Sequence, residues 1–182
     1  YNPKSIKNSN EINLMEKAHI EDGVALTKFI YWMKNKKKIN LSEIDAQNKL
    51  EKFRKMNNNY LFPSFNTIAG TGSNGAIVHY RATKKSNKVI KRKDIFLCDS
   101  GGQYNYGTTD VTRTLCFGNQ PILIRNIFTK VLKGHIAVFN TNLSKFDVGE
   151  KIDIRARKFL KQDGLDYAHG TGHGVGFFLN VH

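Results

Sequence analysis

Residues 99–114 read DSGGQYNYGTTDVTRT, with Asp99 and Asp110 eleven positions apart and glycines and threonines between them. The preceding IFLCD (95–99) alternates like a strand, which places Ile95, Leu97 and Asp99 on one face. VTRTLCF (111–117) reads as the returning strand, with Asp110, Thr112 and Thr114 sharing a face. The intervening SGGQYNYGTT predicts a wide turn that its glycines permit. Side chains on antiparallel neighbours stand about 4.5–5.5 Å apart at Cβ. Two bare carboxylates at that range repel, and one takes up a proton. A divalent cation removes the penalty, and two cations sharing a carboxylate remove it better. Taken alone, the same two residues also suit a turn cap and a solvated side chain.

The tail HGTGHGVGFFLNVH (169–182) shifts the balance. It holds His169, His173 and His182, three of the six histidines. Glycines around His169 and His173 let backbone and imidazole approach a ligand closely. Imidazole is a common transition-metal ligand and titrates near neutrality. A single histidine there would read as an ordinary loop residue. Three beside a separate aspartate pair point to a metal-hydrolase site. His79, in AIVHY (76–80), is expected on a strand, where it can share a face with Asp99 if the strands are neighbours. His19 and His135 fall within helical stretches and receive no role.

Further out, apolar spacing predicts a helix from about Ser9 to Asn35 through Leu14, Ala18, Ala25, Phe29 and Met33. A second begins at Ser42, where SEID reads as a capping box. Pro63 ends that region, and a strand is expected at FNTIA (65–69). After Pro121 an amphipathic helix carries Ile124, Ile127, Phe128, Val131, His135 and Val138 on one face. A fourth helix spans 147–164, with Gly164 as its stop. Helices and strands are grouped rather than alternating, which favours an α+β fold.

Composition sets the outer limits. The 182 residues are 40% hydrophobic and 24% charged, enough for one domain with its own core. No apolar run reaches membrane-spanning length, so no membrane partner is expected. The net charge of +14 raises nucleic acid as a partner. The lysine clusters at 35–40 and 84–93 lie in expected loops without interleaved aromatics, so nucleic acid is not expected either. Cys98 and Cys116 are too few for a disulfide framework, and both fall in strand-like stretches where a free buried thiol is the default. That fits a reducing, cytoplasmic setting.

With GSNGAIVHY, DSGGQYNYGTTDVTRT, VLKGHIAVFN and HGTGHGVGFFLNVH in view, the chain resembles the Xaa-Pro aminopeptidase (aminopeptidase P) family of the pita-bread metallopeptidase superfamily. The likeness runs over nearly the whole chain. It implies a curved, mainly antiparallel sheet flanked by helices, of which residues 1–182 form an incomplete part. It implies two divalent ions, Mn²⁺ first with Co²⁺ or Zn²⁺ as alternatives, and a hydroxide held between them that attacks the Xaa-Pro bond. Asp99 would chelate one ion, Asp110 would bridge both and His173 would bind the other. His79 and His182 would be catalytic groups around the scissile carbonyl, and His169 would line the substrate pocket. Substrates would be peptides with proline in second position. VLKGHIAVFN is read as helix packing.

One departure stands out. The family's site takes two further glutamates, expected downstream of His182 in a companion C-terminal segment. Residues 1–182 are thus expected to be a partial catalytic domain, inactive alone, with homodimerisation a property of the full-length form. Two other readings stay open. One is a prolidase or methionine aminopeptidase of the same fold. The other is a metal-free pita-bread module that binds another macromolecule.

Overall fold

The structure, a computed structural model, describes residues 5–36, 40–145, 148–179 and 181. It divides into two compact units, one of residues 1–118 with 174–182 and one of residues 119–173.

The first unit opens with two helices, α1 (Ser9–Lys34) and α2 (Glu43–Arg54). Both begin with a reciprocal capping box, Asn8 with Glu11 and Ser42 with Asp45. Six strands follow: β1 (Tyr60–Pro63), β2 (Ile68–Thr71), β3 (Ile95–Ser100), β4 (Gly102–Tyr104), β5 (Gly107–Thr108) and β6 (Val111–Cys116). They form two antiparallel sheets, in the orders β1-β4-β5 and β2-β3-β6. The core lies between the helices and one face of the β2-β3-β6 sheet. Leu26, Phe29 and Met33 of α1 and Ala46 and Leu50 of α2 pack with Phe96, Cys98 and Leu115 of the sheet. Burial on that face follows the two-residue period of β3, with Phe96, Cys98 and Ser100 inside and Leu97 and Asp99 outside.

Three expectations change. AIVHY (76–80) is not a strand: a 3₁₀ turn at Gly72–Ala76 ends there, and His79 takes a left-handed φ of 54° that no strand accommodates. YLFP, assigned no strand in the region that Pro63 was expected to end, is β1, an edge strand that tolerates the missing N–H. Cys116 is exposed, since it lies on the open side of β6; only Cys98 is buried, and burial pushes its thiol up to about 11.

The second unit is a helix pair, α3 (Ile122–Phe139) and α4 (Gly149–Lys161). Gly134 of α3 sits against the Ala156 carbonyl of α4, where any Cβ would collide with backbone. Gly164, at φ 70°, turns the chain after α4 as expected, and the Leu165 N–H returns to the Leu160 carbonyl at 3.1 Å. Among the described residues no helix is long and apolar enough to cross a membrane.

Candidate metal centre

The stretch between the aspartates is more ordered than a wide turn. β3 runs to Ser100, and β6 resumes at Val111, directly paired with Ser100. Between them Gly102–Thr108 leave this sheet and build the β4–β5 hairpin of the other one. The neck of that excursion is closed by hydrogen bonds: Thr109 N–H to the Gly102 carbonyl at 2.9 Å and Gly102 N–H to Thr109 Oγ1 at 2.8 Å. Gly101 passes so near the Thr109 carbonyl that a Cβ there would overlap it. Ser64 Oγ donates to the same carbonyl at 2.7 Å.

This closure sets the aspartates. Asp99 pairs in register with Thr112, not with Asp110. Asp110 lies one residue before Val111, just outside β6; strand alternation continued by one step would put it on the face of Thr112 and Asp99. Diagonal neighbours in a regular ladder stand about 7–8 Å apart at Cα. That is longer than the direct pair expected from sequence, and it relieves the repulsion that a direct pair would suffer. It leaves room for cations about 3.5–4 Å apart. Both aspartates are half-buried.

Behind β3, a buried network pins the strand. Arg54 at the end of α2 donates from Nε to Asp22 Oδ1 at 2.6 Å and from Nη2 to Asp22 Oδ2 at 3.0 Å. Arg54 Nη2 also donates to Ser100 Oγ at 3.0 Å, and the Tyr104 hydroxyl donates to Asp22 Oδ1 at 2.9 Å. Burial pulls the guanidinium down, but the hydrogen bonds and charge of Asp22 outweigh it, and Arg54 ends raised. Burial and the facing Asp22 raise the Tyr104 phenol. The network thus ties α1, α2 and β4 to the residue next to Asp99. Sequence reasoning missed it, because Asp22 and Arg54 lie 32 positions apart on different helices.

The histidines are held from elsewhere. His79 is exposed on the loop after the 3₁₀ turn, so the shared strand face expected for it is replaced by a loop position. His169 and His173 are exposed in the second unit, on the segment that follows α4. Arg157 of α4 organises that segment. Its guanidinium donates to the Tyr167 carbonyl at 2.8 Å, the His169 carbonyl at 2.8 Å and Asp166 Oδ1 at 2.9 Å. Asp153, bound to Arg157 Nε at 2.7 Å, accepts the Thr171 hydroxyl at 2.6 Å. Hydrogen bonds from Arg157 hold the Asp153 and Asp166 carboxyls below the usual aspartate range, and the two carboxylates raise Arg157. The i, i+4 spacing of Asp153 and Arg157 was a readable signal for this clamp. His182 lies outside the described residues.

The donor set fits a hard divalent cation in one specific respect. Asp99 Oδ1 is buried and has no hydrogen-bond partner among the described residues. A buried carboxylate oxygen without a donor is costly, and a cation on the open face of the sheet would satisfy it. Among the described residues, no three His, Cys, Asp or Glu side chains converge as a complete cage.

Comparison with known proteins gives a consistent result. The chain matches metallopeptidase family M24 over residues 13–182. It is 48% identical to a probable Xaa-Pro aminopeptidase P of Paracoccidioides brasiliensis, covering 98% of this chain and 30% of the relative. A protein of the same description from Podospora anserina is also 48% identical, and the chain spans 27% of it. Among solved structures, an X-prolyl aminopeptidase of Caenorhabditis elegans, described as a cytosolic enzyme with a di-nuclear active site, superposes with a TM-score of 0.88. It is 36% identical, over 99% of this chain and 30% of that one. An Xaa-Pro dipeptidase of Bacillus anthracis superposes at a TM-score of 0.81 with 27% identity, over 96% of this chain and 47% of that one. The expected α+β pita-bread architecture is the one these structures share with this chain. The chain spans about a third or less of the curated relatives quoted.

Proposed function

The chain belongs to metallopeptidase family M24, and from that premise we propose that the protein carrying it is a metal-dependent aminopeptidase that releases the residue preceding proline at a peptide N-terminus. The quoted fungal relatives are named for this activity. The observation that carries the metal dependence is the buried Asp99 Oδ1, which has no hydrogen-bond partner among the described residues, one strand position from the Asp110 end of β6.

Asp99 and Asp110 are assigned carboxylate oxygens, and His173 an imidazole nitrogen, toward two divalent ions. Two glutamates from a companion C-terminal segment would complete the set. Oxygen-rich ligation with one imidazole suits Mn²⁺, with Co²⁺ or Zn²⁺ able to substitute. When bound, the ions would polarise the scissile carbonyl and lower the pKa of water enough to make it nucleophilic at neutral pH. His79 and His182 are assigned to the substrate around that carbonyl, where an imidazole can donate a hydrogen bond or proton to the developing charge. His169 lines the pocket. A proline amide offers no N–H and a fixed φ, so shape and the free α-amine must select it. Both units are taken as parts of one catalytic domain in a homodimer. The two free cysteines, and the cytosolic setting of the nematode relative, support a cytoplasmic location.

The test uses the full-length protein. We expect cleavage of Xaa-Pro-Xaa tripeptides, loss of activity on chelation and recovery with Mn²⁺. Cleavage of Xaa-Pro dipeptides alone would make it a prolidase. Absence of bound divalent ion at neutral pH, with no peptidase activity, would leave a binding module.

A further inference from the structure

We propose that Glu43 is a positioning residue that holds His79 in place for the reaction proposed above, on which this assignment rests. Glu43 is the first residue of α2 and is fully buried. Its Oε1 accepts the Thr71 N–H at 2.8 Å and the Asn74 side-chain amide at 3.0 Å. Its Oε2 accepts the Tyr80 hydroxyl at 2.7 Å and the Lys88 N–H at 3.0 Å. None of these partners is a cation. The carboxylate is tolerated because four donors converge on it at the positive end of a helix.

The four donors flank the short segment 75–79 that ends in His79. Thr71 and Asn74 precede His79, and Tyr80 and Lys88 follow it. The Tyr80 N–H donates to the Ile77 carbonyl at 3.2 Å and closes the turn in which His79 adopts its φ of 54°. That conformation is uncommon for a residue with a side chain and persists only where its surroundings impose it. Glu43 supplies the imposition, because one side chain ties together both ends of the loop. The Glu43 N–H adds a bond to the Lys88 carbonyl at 3.0 Å, and the Ile44 N–H adds one to Asn87 Oδ1 at 3.2 Å. The imidazole itself is exposed, on a backbone turn that the Glu43 bonds close off at both ends. Glu43 is thus the buried anchor of an exposed catalytic loop.

The experiment is a double-mutant cycle in the full-length, Mn²⁺-loaded protein. Glu43→Gln preserves volume but turns one acceptor into an NH₂ facing donors. We expect kcat on an Xaa-Pro-Xaa tripeptide to fall about ten- to a hundredfold, as displacement of a catalytic group by about 1 Å does. Bound metal per chain should stay at the wild-type ratio. In a His79→Ala background, Glu43→Gln should cost less than about twofold more, because its effect runs through the missing imidazole. Should Glu43→Gln fail to fold, Tyr80→Phe removes one bond to Glu43 and keeps the ring. It should cost about fivefold alone, the worth of one neutral hydrogen bond, and again little on top of His79→Ala. Multiplicative losses in the cycle, or metal lost with Glu43→Gln, would overturn the role of Glu43 while leaving the function standing. A His79→Ala protein with wild-type kcat would overturn the role of His79, and this assignment with it.

Discussion

At Asp99 the proposed metal role and the demands of folding fall on one carboxylate. Its strand alternation turns the side chain away from the helices, and among the described residues its buried Oδ1 has no donor. A group of that kind destabilises the metal-free protein and stabilises the loaded one. Asp99→Asn should therefore leave the metal-free melting temperature no lower than wild type. It should also abolish the rise that divalent metal produces, which is about 2.7 kcal/mol at a hundred times Kd. Differential scanning calorimetry with and without Mn²⁺ reads both quantities. A variant that still gains stability from Mn²⁺ as the wild type does would remove Asp99 from the ligand set. The chemical type of this residue and its partner Asp110 was readable in DSGGQYNYGTTDVTRT. Their diagonal relation was not, because it depends on a hairpin that leaves the sheet between them.

Between elements, the decisive contacts are buried ion networks. Arg54→Ala leaves Asp22 buried with Tyr104 as its remaining donor, and should cost about 3–5 kcal/mol, as broken buried pairs do. Arg54→Met with Asp22→Leu should recover most of that loss, since an apolar pair carries no stranded charge. Urea denaturation of the two variants beside the wild type checks the order, and a double variant no better than Arg54→Ala would refute it. The clamp on the His169 segment makes a pH prediction. Asp153 and Asp166 sit below their ordinary value of 3.8 when folded, so their contribution is complete above that pH. It disappears as pH falls through the depressed folded values. Protection of the amides of 166–171 in hydrogen exchange should be steady from about pH 5 to 8 and collapse below about pH 4. A collapse near pH 6 would mean that another group holds the segment. α1, α2 and the β3–β6 pair were legible because their signals are local: a 3.6 period, the cap at Ser42 and an alternation. The His79 loop was misread as a strand. Its apolar run Ala76–Val78 imitates one, while the Glu43 contacts that shape it reach across 28 and 37 residues of sequence.

For the molecule as a whole, what decides is how much apolar surface these residues leave open. Along α3, Ile122 is 68% exposed, Phe128 52%, Leu132 46% and Phe139 83%. Leu123, Val131 and Ile136 of the same helix are exposed too, and apolar residues gathered on one helix suit an interaction surface. Among the described residues the sheets also end in open strands, β2 and β6 in one and β1 and β5 in the other. Unpaired edges invite association with other chains. The quoted curated relatives are about three times as long, which supplies enough further chain to cover both features. Residues 1–182 expressed by themselves should therefore bind a hydrophobic dye such as ANS strongly. They should unfold without a sharp transition and show no Xaa-Pro cleavage with Mn²⁺ present. The full-length protein should show weak dye binding, a cooperative transition and activity. A segment 1–182 that unfolds cooperatively and cleaves at the full-length rate would mean that Asp99, Asp110 and the histidines complete a working site without the expected glutamates. The ligand assignment would then have to be redrawn within these residues.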